Sequence, residues 1–121
     1  FQMTQSELAT AVQEGANVKI AIMNNNFLGM VRQWQEFFFE KRYSAVNMTG
    51  PDFVKLADAY DIPGRRVTHR SEIADAVKFA RETAGPVLLE FRVVKADMVW
   101  PMVPAGTDLG TMLRRPVVES F

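Results

Sequence analysis

Residues 17–23, Asn-Val-Lys-Ile-Ala-Ile-Met, form a strand-length run that is apolar on nearly both faces. A strand of that kind needs cover on two sides, which is the condition of a strand inside a parallel sheet. The run is preceded by a short helical stretch, residues 4–15. There Leu8, Ala11 and Val12 fall on one stripe and Gly15 sits at the C-terminal cap position. It is followed at once by Asn24, Asn25 and Asn26. Asparagine competes for backbone hydrogen bonds and tolerates unusual dihedrals, so the strand should end there.

The same alternation continues. The spacing of Val31, Trp34 and Phe38 predicts a helix from about Leu28 to Phe38 with those three on one stripe. Residues 40–50 are polar and irregular, and Thr49-Gly50-Pro51 opens a third helix with its stripe at Phe53, Leu56, Ala57 and Tyr60. Pro63-Gly64 closes that unit, and residues 65–68 make a brief strand. Ser71 is the expected N-cap of a fourth helix, with Glu72 and Asp75 near its positive end and Ile73, Val77 and Ala80 turned inward. Gly85-Pro86 stops it, and residues 87–94 form the next strand. The order helix, strand, helix, helix, strand, helix, strand is that of an α/β fold, a partial open and mostly parallel sheet with flanking helices.

From Lys95 onward the pattern changes. Pro101, Pro104 and Pro116 are interspersed with Met98, Val99, Trp100, Met102 and Val103. An extended tail lying on a surface suits that mixture, so residues 1–94 are expected to form the domain portion and residues 95–121 the tail. A length of 121 residues suits one domain or part of one. The first residue is Phe1, and the opening Phe-Gln-Met-Thr reads as the interior of a longer product.

Composition removes several function classes. Fourteen basic and fourteen acidic side chains cancel, so no field draws the chain to nucleic acid or to an anionic membrane. Cysteine is absent, which excludes disulfides, thiolate nucleophiles and Cys-containing zinc sites and fits a reducing compartment. There is no apolar run of about eighteen residues to span a bilayer, and no basic-then-apolar leader.

In an open α/β sheet, ligands bind beyond the carboxyl ends of the strands. The first strand delivers the three asparagines to that edge, just ahead of the helix that begins near Leu28-Gly29. An Asn side-chain oxygen is a hard, neutral ligand suited to Mg²⁺. A helix N-terminus offers free N–H groups to a diphosphate, and Gly29 lets the backbone approach closely. On spacing alone, an ordinary Asn-rich polar turn explains the run as well. Trp34 shares a face with Val31, as a core tryptophan would, and Met30 suits a gap-filling core residue. His69 is read as a surface residue, Lys41-Arg42 as a solvated pair, and Asp58, Asp61, Glu72 and Asp75 as non-catalytic. Phe37, Phe38 and Phe39 cannot all face one core, so at least one should meet another domain or subunit.

The wider sequence adds a resemblance. Phe1-Gln2-Met3-Thr4, Val18-Lys19, Asn24-Asn25, Leu28-Gly29-Met30-Val31 and Gln33-Trp34-Gln35 closely resemble the acetolactate synthase (acetohydroxyacid synthase) large subunit. So do Arg42-Tyr43-Ser44, Pro51-Asp52-Phe53-Val54-Lys55-Leu56-Ala57, Gly85-Pro86-Val87-Leu88-Leu89-Glu90 and Pro101-Met102-Val103-Pro104-Ala105-Gly106. The similarity covers roughly residues 1–106, in the C-terminal part of the thiamine-diphosphate-binding domain, and residues 107–121 match no motif. The Asn pair is common to thiamine-diphosphate enzymes, whereas the Gly-Met-Val-x-Gln-Trp-Gln segment is specific to the synthases.

The resemblance implies thiamine diphosphate and Mg²⁺ as cofactors, with Asn25 as a side-chain metal ligand and Phe27 as a ligand through its main-chain carbonyl. It places Leu28, Gly29 and Met30 beside the cofactor. Trp34 would line the substrate pocket and favour 2-ketobutyrate over pyruvate as acceptor. The metal-binding aspartate of the family and its cofactor-activating glutamate are not in this chain, so no catalytic residue is assigned to it and the isolated chain is expected to be inactive. The enzyme implied decarboxylates pyruvate and condenses the two-carbon unit with a second 2-keto acid, giving acetohydroxy acids for branched-chain amino-acid biosynthesis. Its implied partners are the rest of the catalytic subunit, further copies in a homo-oligomer and a regulatory subunit, with FAD bound on another domain. The implied compartment is the cytoplasm, or the plastid in a plant. Two alternatives stand beside it. One is a pyruvate oxidase-like or glyoxylate carboligase-like enzyme, against which Gln33-Trp34-Gln35 argues. The other is a non-catalytic segment that only binds partners.

Overall fold

Three strands pair in parallel in the computed structural model, which describes residues 1–95 and 97–116. They are β1 (Lys19–Asn24), β2 (Gly64–Val67) and β3 (Val87–Arg92), in the order β1-β3-β2. With α1 (Glu7–Gln13), α2 (Gly29–Phe38), α3 (Phe53–Asp58) and α4 (Ile73–Glu82), the chain follows the expected order of helices and strands. The architecture is an open parallel α/β sheet with flanking helices. Two compact units divide it: residues 1–27 with 47–95, and residues 28–46 with those from 96 onward.

The first unit holds the sheet and two clusters of buried side chains. On one face Leu8 of α1 and Phe53 and Ala57 of α3 pack with Ile62 and Leu88, joined by the half-buried Ile20 and Ile22 of β1. On the other, Ala76 and Ala80 of α4 pack with Val67, Val87 and Leu89. Because side chains alternate along β3, Leu88 and Leu89 serve opposite clusters. Gly15 takes φ +59° after α1, in the left-handed conformation that ends helices and favours glycine. Asp52 caps α3, accepting hydrogen bonds from the Val54 and Lys55 amides, 3.1 Å each.

Three expectations change in this unit. β1 is not covered on both sides: Ile20 and Ile22 are half-buried, while Lys19, Ala21 and Met23 are exposed. It is an edge strand, and among the described residues α4 covers β2 and β3 instead. Ser71 does not cap α4. It lies inside a 3-10 turn, Arg70–Glu72, and the Glu72 carboxylate reaches back to accept from the Thr68 and His69 amides at 2.7 and 2.9 Å. Those N–H groups hold the Glu72 carboxyl below its usual range. Finally, α4 buries Ala76 and Ala80 but leaves Ile73 and Val77 well exposed, so its inward stripe is rotated from the one read off its larger side chains.

The second unit is organised by α2 and the segment from 97 on. Its buried helix residue is Gln33, and Phe37, one turn later, meets Trp100 in a tilted ring contact with centroids 5.2 Å apart. The inward face is therefore Gln33 and Phe37, whereas Val31, Trp34 and Phe38, the expected stripe, are turned outward. Met102 is buried and pairs with Leu113 through two backbone hydrogen bonds, 2.9 and 2.7 Å.

Candidate functional site

β1 ends in a loop whose three asparagines each do something different. The Asn24 Nδ2 donates to Glu90 Oε1 at 2.7 Å, and its Oδ1 accepts from the Asn26 amide at 2.9 Å. The Asn25 Oδ1 accepts from the Phe27 amide at 3.0 Å. The two bonds from backbone amides each close a turn of the kind in which a short polar side chain substitutes for backbone pairing. Asn26 adopts φ +59°, a conformation asparagine tolerates better than most residues. Its carbonyl accepts from the Met48 amide at 2.8 Å, and Phe27 pairs with Asn47 in an isolated antiparallel bridge. The loop is thus tied at both ends, and Asn25 stands half-buried between the ties.

Directly after it in the chain, the Leu28 amide donates to the Val46 carbonyl at 2.9 Å. α2 then begins at Gly29 with no side chain capping it. Leu28, Met30, Val31 and Trp34 are all exposed. Met30 and Trp34 are one turn apart, so they share a face, and Trp34 meets the Phe38 ring edge-on with centroids 5.2 Å apart. The core reading of Trp34 and Met30 does not hold within this chain.

Below the loop lies a network of ion pairs around one buried carboxylate. Glu90 is buried at 1% exposure in the otherwise apolar β3. Its Oε2 accepts from Arg66 Nε at 2.7 Å, and its Oε1 accepts from both Asn24 and, at 3.1 Å, Arg92 Nη1. The strand register sets Arg66 beside Glu90 and Asn24 beside Arg92. Arg66 also bridges to Asp52 Oδ1 at 2.7 Å. Burial pushes the Glu90 carboxyl up, but the bonds from Arg66, Asn24 and Arg92 outweigh it and hold it below its ordinary range. The Arg66 guanidinium and the Lys55 amide lower the Asp52 carboxyl from 3.8 to about 2. Asp52 and Glu90 together raise Arg66 further above neutrality. These groups line a cavity of about 480 Å³ that Asn24, Asn26 and Thr68 also border. The one available signal was a single carboxylate in the run 87–91.

The remaining polar residues behave as structure. His69 is exposed, Lys41 pairs with Glu36 at 3.5 Å on the surface, and Tyr43 Oη donates to Glu36. Among the described residues no group of three or more His, Asp or Glu could hold a metal. No described helix is long and apolar enough to cross a membrane.

Residues 1–91 match the family described as "Thiamine pyrophosphate enzyme, C-terminal TPP binding domain", and the chain belongs to it. It is similar to acetolactate synthases. It is 49% identical over 120 residues to the mitochondrial acetolactate synthase catalytic subunit of Saccharomyces cerevisiae, covering 98% of this chain and 18% of that one. It is 49% identical over 109 residues to the mitochondrial acetolactate synthase of Schizosaccharomyces pombe, covering 90% and 16%. Against the acetolactate synthase of Mycobacterium avium the figures are 46% over 114 residues, 89% and 18%. The chain therefore spans under a fifth of the length of these relatives. Among solved structures, a thiamine diphosphate-dependent 4-hydroxybenzoylformate decarboxylase of Rhodococcus jostii RHA1 superposes with a TM-score of 0.71 at 28% identity, covering 77% of this chain and 18% of that one. The benzoylformate decarboxylase of Polynucleobacter necessarius, at 21% identity and a TM-score of 0.73 over 82% of this chain and 19% of its own, shares the fold.

Proposed function

We propose that this chain works as part of an acetolactate synthase catalytic subunit, which condenses pyruvate with a second 2-keto acid to an acetohydroxy acid for branched-chain amino-acid synthesis. The observation that carries the reading is the loop at the end of β1, in a chain 46–49% identical to acetolactate synthases over most of its length. The donor set suits the group. The carboxamide of Asn25 spends one lone pair on the Phe27 amide and has a second for a hard cation. In this reading Asn25 Oδ1 and the Phe27 carbonyl hold Mg²⁺. Leu28, Gly29 and Met30 bring the positive end of α2 to a diphosphate, which needs no side-chain cap to compete with it. Thiamine diphosphate, when bound, supplies the carbanion chemistry, and the protein orients and shelters it.

Trp34 sets the acceptor wall in this proposal. Its exposed ring, braced by Phe38, offers a flat apolar surface to the alkyl end of a 2-keto acid. The same proposal has FAD held by another domain, a homo-oligomeric catalytic subunit and a regulatory subunit. The compartment would be the cytoplasm in a bacterium, mitochondria in a fungus or the plastid in a plant. The test is the full-length enzyme, supplied with pyruvate, thiamine diphosphate and Mg²⁺. Acetolactate formed only when both cofactors are present is the expected result. Acetolactate formed at an equal rate after chelation of the metal, or none under any condition, overturns it.

A further inference from the structure

A buried carboxylate in the middle of a packed strand is costly. Taking a charge out of water costs several kcal/mol, and an apolar residue of the same volume often serves stability as well or better. Glu90 occupies such a place: it is 1% exposed and follows Val87, Leu88 and Leu89, all buried. Its bonds run towards the loop at the end of β1, 66 positions away in sequence.

We propose that Glu90 is a positioning residue for that loop, holding Asn24 in the orientation from which Asn25 and Phe27 present their oxygens to a divalent cation. The proposal rests on the assignment of the metal to Asn25 and Phe27.

The argument turns on the two ends of the Asn24 carboxamide. An ionised carboxylate only accepts hydrogen bonds, so the end of Asn24 that faces Glu90 has to be its NH₂. That choice points the other end, Oδ1, at the Asn26 amide, where it closes the 2.9 Å bond. Asn26 is then held in its left-handed conformation between this bond and the one from the Met48 amide. Arg92 makes a second tie, since one guanidinium nitrogen spans Glu90 at 3.1 Å and the Asn26 side-chain oxygen at 3.4 Å. Asn25 and Phe27 flank Asn26 on either side, so the shape fixed at Asn26 sets where their oxygens point. Arg66 and Asp52 complete the arrangement by neutralising Glu90 and keeping it ionised. Partners one shell out from a metal ligand commonly change metal affinity by about 10–100-fold when altered.

Three variants of the full-length enzyme test this, read by calorimetric titration of thiamine diphosphate at graded Mg²⁺ and by the thermal midpoint of the cofactor-free protein. Glu90→Gln should raise the Mg²⁺ concentration for half-maximal cofactor binding by about 10-fold or more. Asn24→Asp should do the same, because it sets a second carboxylate against Glu90. The double variant Asn24→Asp with Glu90→Gln should return the requirement to within about 3-fold of wild type. In it the new carboxylate accepts from both Asn26 and the new amide, and the net charge is unchanged. A purely structural role for Glu90 would lower the thermal midpoint without this rescue. An unshifted Mg²⁺ requirement in Glu90→Gln, or a shift that the double variant fails to reverse, overturns the proposal. Should Glu90→Gln not fold, Asn24→Asp and the double variant decide the matter by the same criteria. Asn25→Ala separates the two readings: if it binds cofactor with wild-type Mg²⁺ dependence, the metal assignment itself falls. If it loses that binding while Glu90→Gln is unshifted, only the positioning role falls.

Discussion

Gln33 and Val99 pair as two strands would, with a side chain in place of one backbone: Gln33 Nε2 donates to the Val99 carbonyl at 3.0 Å, and Gln33 Oε1 accepts from the Val99 amide at 2.7 Å. Gln33 is 2% exposed, so a polar residue occupies the one buried position of α2. The carboxamide pairs both backbone groups of a residue in a segment without regular secondary structure, where no neighbouring strand does so. The same Nε2 lies 3.2 Å from the Met102 sulfur. Together with the tilted Phe37–Trp100 ring contact, these contacts hold residues 99–102 against α2.

Gln33→Leu should therefore loosen that segment. It conserves approximate volume but leaves the Val99 N–H and C=O only water to pair with, a loss of about 1 kcal/mol. Hydrogen exchange at the Val99 amide should accelerate by about 5-fold or more, the local equivalent of at least 1 kcal/mol. Unchanged protection there would mean that the clamp contributes nothing.

At the loop, Asn25→Ala in the full-length enzyme should remove Mg²⁺-dependent binding of thiamine diphosphate. It deletes a hard oxygen from a site that prefers near-octahedral coordination, and it frees the Phe27 amide that Asn25 now engages. Calorimetric titration checks this, and full activity of the variant at ordinary cofactor concentrations would sink the assignment.

Trp34→Leu addresses selectivity. The indole is 42% exposed and meets Phe38 in an edge-type ring contact, so it is available as a wall. One methylene against such a wall is worth about 1–3 kcal/mol. The preference for 2-ketobutyrate over pyruvate as acceptor should fall by about 10-fold, with acetolactate still formed. An unchanged product ratio in competition assays would make Trp34 a structural residue.

How far the sequence carried can be judged from particular residues. The order of elements along the chain and the fold class followed from period and punctuation, because Gly15, the Asn run, Pro63-Gly64 and Gly85-Pro86 act locally. Which face each element buries was less legible. α4 rests its small alanines, Ala76 and Ala80, on the sheet and turns Ile73 and Val77 partly outward, since close approach of a helix favours small side chains. α2 buries Gln33 because Val99, 66 positions away, needs its amide. The Asn loop was visible as a motif, but the Glu90–Arg66–Asp52 network below it depends on strand register between distant segments. No local pattern encodes that register.

The network carries a pH signature. Asp52 and Glu90 both have folded-state values below their ordinary ones. A depressed carboxyl contributes stability that is present above its unfolded value and is lost as pH falls through the folded one. For Asp52 that window runs from 3.8 down to about 2. The thermal midpoint should therefore drop as the solution is acidified through this range, and Asp52→Asn should flatten the drop. Parallel pH curves for wild type and variant would show that Arg66 gains nothing from Asp52.

The last prediction concerns β1 as an edge. Among the described residues it pairs with β3 alone, leaving the groups on its other side without a strand partner. On the uncovered face of the strand Met23 is 60% exposed, and Lys19 and Ala21 are exposed beside it. An exposed apolar edge strand is a template for pairing with another chain, and one lysine, Lys19, is a thin defence. In a longer polypeptide this strip is available for further cover. On its own, the 121-residue chain should self-associate through it. Sedimentation across a range of concentrations should show species above the monomer, and Met23→Lys should shift them toward monomer by placing charge on the uncovered face. A chain that stays monomeric at high concentration, or a variant that associates as readily as wild type, would locate the contact elsewhere.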